Sequence, residues 1–137
     1  MIQFFVPMIP PNKTHQEKGE RVVNGRIVHY TKDEIKAIRQ RFLAELADHA
    51  PAAPFTGPVR LVTKWMYPAG YGYKPGQWKK TKPDTDNLIK LFKDCMTDVG
   101  FFKDDAQVAS EITEKFYWEL PGIYVRVEEL SYGPEPH

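Results

Sequence analysis

One cysteine, Cys95, is all the sequence contains, so it has no intramolecular disulfide and no cysteine-rich zinc site. No apolar run approaches the roughly 20 residues that span a bilayer, and the opening MIQFFVPMIP lacks the basic segment and cleavage site of a signal peptide. No excess of either charge is present: 19 Lys and Arg against 18 Asp and Glu leave a formal +1. The chain is therefore not a polycation, and composition alone makes no case for nucleic acid. His15, His29, His49 and His137 show no metal-ligand spacing, which disfavours an HNH or zinc nuclease. No Glu-x-Lys or Asp-x-Lys follows Pro83-Asp84, so a PD…(D/E)xK nuclease is unsupported as well. These absences leave a cytoplasmic protein, off the membrane and without a small-molecule cofactor.

What is present describes one small folded domain. The 137 residues are 42% hydrophobic and 13% aromatic, enough for a single modest core. Residues 2–8 read as a strand ended by Pro10-Pro11, and Asn24-Gly25 between two β-branched runs is a hairpin signal. Thr31 to Glu34 forms a capping box opening a helix with Ile35, Ile38, Phe42, Leu43 and Leu46 on one face. Residues 59–67 read as a strand, and Pro68 to Pro83 as a long aperiodic loop. Leu88, Leu91/Phe92, Cys95/Met96 and Val99 then repeat at helical spacing, with Gly100 as the stop. Gln107–Leu120 and Ile123–Leu130, divided by Pro121-Gly122, predict a closing antiparallel hairpin. The expectation is an α+β domain over 1–130, a mixed and mostly antiparallel sheet packed with two main helices, followed by a flexible tail, 131–137.

Charge is distributed unevenly along this frame. Lys64, Lys74, Lys79, Lys80 and Lys82 occur in a stretch without an acid, and six aspartates follow between Asp84 and Asp105. Asp84 fits the N-cap of the second helix, with Asp86 in its first turn, Lys90 four residues on and then Asp94. After the helix come Asp104-Asp105; if the closing hairpin pairs beside the helix start, one of these two carboxylates converges with Asp84 and Asp86, and alternation does not say which. Oxygen ligands without His or Cys suit Mg²⁺, with Mn²⁺ able to substitute, and suit phosphodiester chemistry. An ordinary helix start has the same look, since Asp caps helices and Asp86–Lys90 is a common i,i+4 pair. The neighbouring basic loop tips the balance: Lys79, Lys80 and Lys82 can contact phosphates, and Trp78 can stack on an unpaired base. Lys13 belongs to a second, more dilute basic group around the predicted hairpin. Cys95 falls on the apolar stripe and reads as an inert core residue.

The run Asp84-Thr-Asp86-Asn87-Leu88-Ile89-Lys90, then Asp94, then Gly100-Phe-Phe-Lys-Asp104-Asp105-Ala106-Gln107-Val108 closely resembles the signature of the RusA family of Holliday junction resolvases. The resemblance is dense over about 25 residues and extends loosely to the Pro10-Pro11-Asn12 turn and the closing strands. It implies a homodimeric, Mg²⁺-dependent endonuclease, bacterial or encoded by a phage or prophage, that resolves four-way DNA junctions in recombination and repair. It puts the metal-binding carboxylates on Asp84, Asp86 and Asp105, the catalytic lysine on Lys90, and carboxylates of the two chains close together. The choice of Asp105 over Asp104 comes from the resemblance alone. The region Tyr67–Lys82 is longer than in better-known members. A less selective nuclease for branched DNA, and a junction-binding protein without turnover, are the alternative readings.

Overall fold

The structure, a computed structural model, describes residues 1–12, 20–23, 26–29 and 32–133. Its elements in chain order are β1 (Ile2–Val6), β2 (Glu20–Val23), β3 (Arg26–His29), α1 (Lys32–Ala47), β4 (Val59–Pro68), α2 (Thr85–Val99), β5 (Val108–Trp118) and β6 (Gly122–Glu129). A short 3-10 helix, Asp105–Gln107, leads into β5. β2 and β3 pair antiparallel as a separate two-stranded ribbon, with Val23 opposite Arg26. The predicted Asn24-Gly25 turn, the Thr31 cap, Lys13 and His15 lie outside the described residues.

The main sheet has the order β1-β6-β4-β5. β1 pairs antiparallel with β6, and β6 with β4, whereas β5 runs parallel to β4. The α+β class and the mixed, mostly antiparallel sheet agree with expectation. The closing hairpin does not form, because β4 lies between β5 and β6. Parallel pairing needs a long crossover, and the loop and helix between β4 and β5 supply one. β5 ends at Trp118 beside Pro68, and β6 begins at Gly122 beside Met66. The intervening residues thus pass over the end of β4, a step of about 10 Å across two strand spacings that a few extended residues can cover.

One face of this sheet carries the core. Leu61, Thr63 and Trp65 of β4 and Ile123, Val125 and Val127 of β6 are all buried, alternating with half-exposed neighbours. Phe42 of α1 and Phe92 of α2 meet Trp65 edge-on at 5.9 and 5.2 Å, so both helices cover this face. α2 buries Leu88, Ile89, Leu91, Phe92, Cys95 and Met96, the stripe expected from its spacing. Gly100 ends it at φ 94° in the left-handed region, donating its N–H to Met96 and Thr97 carbonyls. α2 also lies against β5, where Lys93 pairs with Glu111 at 2.8 Å.

The segment after β4 is held to the sheet edge. Ala69 N–H donates to Trp118 O, Gly76 N–H to Tyr117 O, Tyr117 N–H to Gln77 O and Lys79 N–H to Lys115 O. Residues 76–79 thereby cover the outer edge of the last part of β5, a protection that sheet edges generally need. No helix of the described residues is long and apolar enough to cross a membrane.

Candidate active site

Asp84 sits at the N-cap of α2 with extended backbone (φ −71°, ψ 145°), and its carbonyl accepts the first helical bond from Leu88 N–H at 3.1 Å. Its carboxylate makes no capping bond. Instead it faces outward, with Lys82 Nζ 3.0 Å away. The capping role that would explain Asp84 on structural grounds alone is therefore carried by its backbone and not by its side chain. Asp86 and Lys90 are both exposed, one turn apart, and no ion pair joins them among the described residues. Asp86, Lys90, Lys93 and Thr97 fall at spacings of four, three and four, forming one polar stripe along α2.

Lys115, on β5, was not singled out by sequence. Its Nζ donates to the carbonyls of Thr81 and Pro83, the latter at 2.6 Å. This ties the backbone just before Asp84 to the sheet. The signal that could have found it is alternation: Glu111, Thr113 and Lys115 point to the helix-covered side, and a lysine there needs acceptors.

At the other end of α2, Asp104 and Asp105 have separate employments. Asp104 caps the 3-10 helix, accepting from Ala106 N–H at 2.8 Å, while Gln107 Oε1 accepts from Lys103 and Asp104 N–H at 2.9 and 3.1 Å. Gln107 Nε2 then donates to Phe55 and Gly57 carbonyls, fixing the turn on the preceding loop. Asp105 is half-buried and accepts a hydrogen bond from the Thr97 hydroxyl. It lines an open polar pocket of about 360 Å³ with Arg39, Asp94, Thr97, Asp98, Lys103 and Asp104. Arg39 is ion-paired with Asp98 there.

Within one chain the sequence-predicted carboxylates fall into two places. Asp84 and Asp86 stand at the start of α2, while Asp105 is bonded to Thr97, eleven residues beyond Asp86. At 1.5 Å per residue that is about 16 Å along the helix axis. Two carboxylate oxygens on one Mg²⁺ lie within roughly 4 Å of each other, so one chain does not fit the ion with this ligand set. No group of three His, Cys, Asp or Glu side chains among the described residues is arranged to hold a metal. The parallel pairing is the reason. It starts β5 at Val108 beside Val59, the first residue of β4, whereas the backbone before α2 is held by Lys115, opposite Trp65 towards the other end of that strand.

The basic loop divides by residue. Lys80 is exposed. Lys79 Nζ lies 4.9 Å from the Tyr67 ring and 5.5 Å from the Tyr117 ring and donates to Thr81 Oγ1. Burial lowers its pKa, an effect opposed by the Tyr73 hydroxyl. Tyr73 folds back to stack on Tyr117 at 4.2 Å, while Trp78 stays 64% exposed, edge-on to Phe116. Cys95 is wholly buried, and burial pushes its thiol up to about 11.

The profile of the family described as "Endodeoxyribonuclease RusA" matches residues 8–128. The crossover junction endodeoxyribonuclease rusA of Lactococcus phage r1t is 29% identical over 119 residues, 85% of this chain and 89% of the phage protein. YqaN of Bacillus subtilis (strain 168) is 30% identical over 119 residues, 79% of this chain and 83% of that protein. With a family match across nearly the whole described fold, the chain belongs to the RusA endodeoxyribonuclease family.

Proposed function

We propose that this protein is a Mg²⁺-dependent, homodimeric endonuclease that resolves four-way DNA junctions by paired phosphodiester hydrolysis. The observation that carries the reading is the family match spanning α2 and both flanking aspartate groups, together with a relative bearing the crossover junction name. Two opposed cuts need two equivalent sites, and a two-fold dimer provides them by symmetry. It also doubles the basic surface, which offsets the small net charge of one chain.

Asp84, Asp86 and Asp105 are the proposed metal ligands, contributed by the two chains of the dimer because one chain does not bring them together, with Mn²⁺ an acceptable substitute for Mg²⁺. When bound, the ion supplies polarisation of the phosphoryl oxygen and neutralisation of the leaving oxygen. Lys90 is exposed one turn from Asp86, and its ammonium offsets charge on the scissile phosphate. Lys79, Lys80, Lys82 and Lys13 are the proposed phosphate contacts, and Trp78 offers an indole face to an unpaired base.

The test is cleavage of a synthetic four-way junction in Mg²⁺, beside linear duplex and flap substrates. Wild type is expected to cut the junction fastest, and Asp86→Asn to cut nothing. Equal rates on all three substrates would establish the less selective nuclease. Tight junction binding in EDTA with no product on adding Mg²⁺ would establish a binding protein. Asp86→Asn cutting as fast as wild type would refute the assigned site.

A further inference from the structure

We propose that the open face of the sheet, on the side away from both helices, binds an unpaired DNA strand that leaves the start of α2 around the edge of β5. This rests on the proposed DNA substrate and adds a binding surface to it. β4 and β5 run in register, so paired residues share a face. Trp65 and Lys115 face the helices, whereas the pairs on either side, Lys64 with Glu114 and Met66 with Phe116, face the other way. Phe42 and Phe92 meet Trp65, which puts α1 and α2 on the first face and leaves the second uncovered by either.

Aromatic side chains gather at one end of that uncovered face. Trp78 bridges to Phe116 across the outer edge of β5, and their rings meet edge-on at 6.0 Å. Phe116 meets Trp118, two residues along the strand, in the same way at 6.2 Å. Trp78 is 64% exposed and Trp118 43%, so two of the three rings in the row are open to solvent. Beside them lies a groove of about 520 Å³, lined by Met66, Phe5, Tyr124 and the exposed Leu120. Lys64 lies in it, its Nζ 5.5 Å from the Tyr124 ring. Indoles held out of the core forgo the burial that their size could supply. A contiguous apolar patch of this kind is the pattern of a binding surface.

The chemistry of the patch selects its occupant. Exposed rings offer faces on which bases stack, and a base has a free face only where its strand is unpaired. Lys64 in the groove and the exposed Lys74 and Lys80 on the loop supply cations for a phosphate backbone. The acids nearby are Glu114, opposite Lys64 in register, and Glu119, next to Trp118 in sequence. An apolar protein segment seated here would have to strip water from the Lys64 ammonium, whereas a phosphate pairs with it.

The path from the active site leads to the same place. Trp78 lies on the open face, and Lys79 packs on Tyr67 and Tyr117, on the helix side. The chain therefore rounds the sheet edge at residues 78–79. Lys115 then holds the Thr81 and Pro83 carbonyls on the helix side, just before Asp84. Trp78 and Asp84 are six residues apart, at most about 20 Å, with Lys80 and Lys82 between them. A strand passing Asp84 and Asp86 needs only a few nucleotides to round β5 and lay its bases on Trp78 and Trp118. A branch with an unpaired strand engages this surface, and a fully paired arm does not.

The test uses the full-length protein in EDTA, titrated with a short oligothymidylate and with a duplex of equal length. Of the three tryptophans, Trp65 is wholly buried, so a fall in indole emission on binding reports Trp78 and Trp118. Wild type is expected to be quenched by the oligothymidylate, saturably and less so at higher salt, and far less by the duplex. Trp118→Ala is expected to weaken binding of a labelled oligothymidylate, read by anisotropy, by roughly 5- to 150-fold. Trp78→Ala, in the loop, is expected to do the same without touching a strand of the sheet, and Trp118→Phe to cost little because a ring remains. Ile112→Ala, exposed on the same face of β5 but outside the groove, is expected to bind as wild type does.

Absence of quenching in wild type overturns the inference, as do equal quenching by the duplex and equal losses from Trp118→Ala and Ile112→Ala. Sedimentation in which Trp118→Ala splits the assembly while oligothymidylate binding is unchanged also overturns it, and makes the face a contact between copies. None of these failures touches cleavage of a fully paired junction, on which the proposed function stands. Binding of the single strand by a protein that cuts no branched DNA leaves the surface standing and removes the nuclease reading.

Discussion

The Thr97 hydroxyl donates a hydrogen bond to the Asp105 carboxylate, joining the last turn of α2 to the turn that opens β5. That bond places Asp105 with the far end of the helix, away from Asp84 and Asp86. It also keeps the carboxylate oriented. Thr97 thus positions a proposed metal ligand without being one, much as supporting hydrogen bonds orient ligands in metal sites generally.

Removing that hydroxyl without changing side-chain shape isolates its role. Thr97→Val is expected to lower junction cleavage roughly tenfold while costing about 1 kcal/mol of stability. Thr97→Ser, which retains the donor, is expected to restore the rate. Single-turnover cleavage and thermal melts of the three proteins check this; equal rates for the Val and Ser variants would show that orientation of Asp105 by residue 97 is unimportant.

Adjacent aspartates should separate cleanly by readout. Asp104 accepts from Ala106 N–H as the cap of the 3-10 turn, so Asp104→Ala is expected to cost about 1 kcal/mol and leave cleavage within a few-fold of wild type. Asp105→Asn keeps the shape and a hydrogen-bond acceptor for Thr97, so its melting temperature is expected to change little while cleavage is lost. The reverse pattern, activity lost at 104 and kept at 105, would exchange the two assignments.

What the sequence revealed and what it hid follow from how local each signal is. The period of α2 and its Gly100 stop are encoded in neighbouring residues, and both are observed. So is the outward face that carries Asp86 and Lys90, although no ion pair joins them among the described residues. Strand partners are chosen across the chain. Two β-rich runs around Pro121-Gly122 have the pattern of a hairpin, yet β4 separates them because the α2 crossover lets β5 pair parallel on β4's far side. That one non-local choice also relocates Asp105. The predicted convergence required β5 to begin near the start of α2, and it begins near the end. Alternation left Asp104 and Asp105 equivalent and only the resemblance chose between them; the 3-10 cap, which no alternation pattern contains, gives Asp104 a structural role of its own.

Gly122 gives the β5–β6 passage its own test. A β-carbon there would lie 2.1 Å from Phe5 Cζ and 2.8 Å from the Val6 carbonyl oxygen. Gly122→Ala is therefore expected to destabilise by about 1–3 kcal/mol through overpacking. Adding Phe5→Leu should recover part of that loss, because one of the two collisions is with the ring and the other is with backbone. Chemical denaturation of the single and double variants measures the coupling; purely additive losses would mean the ring is not the obstacle.

Cys95 should be silent in the folded protein. Burial raises its pKa to about 11, with Asp98 and Asp94 adding and Arg39 opposing. A thiol whose folded value lies above the ordinary 9.0 favours folding below that value and loses the contribution as pH rises towards 11. Native protein at pH 8 is expected to react with an aromatic disulfide reagent only as fast as it opens, and unfolded protein at once. Stability should fall between pH 9 and 11, and Cys95→Ala should flatten that part of the profile at the cost of a small cavity. Rapid stoichiometric reaction of the native thiol would contradict its burial.

The exposed basic loop, finally, can be weighed by salt. Lys80 is exposed and Lys79 is spread over the Tyr67 and Tyr117 rings, so the two lysines should not behave alike. If Lys80 contacts a single phosphate, Lys80→Ala is expected to reduce the slope of log affinity against log salt by about 1, measured on a junction in EDTA. The same substitution should leave the melting temperature unchanged. Lys79→Ala removes a desolvated cation that packs on two aromatic rings and bonds Thr81. It should therefore lower stability as well as affinity, since part of what it holds is the loop itself. A salt slope untouched by Lys80→Ala would take this lysine out of the DNA interface and shift the phosphate contacts elsewhere on the chain.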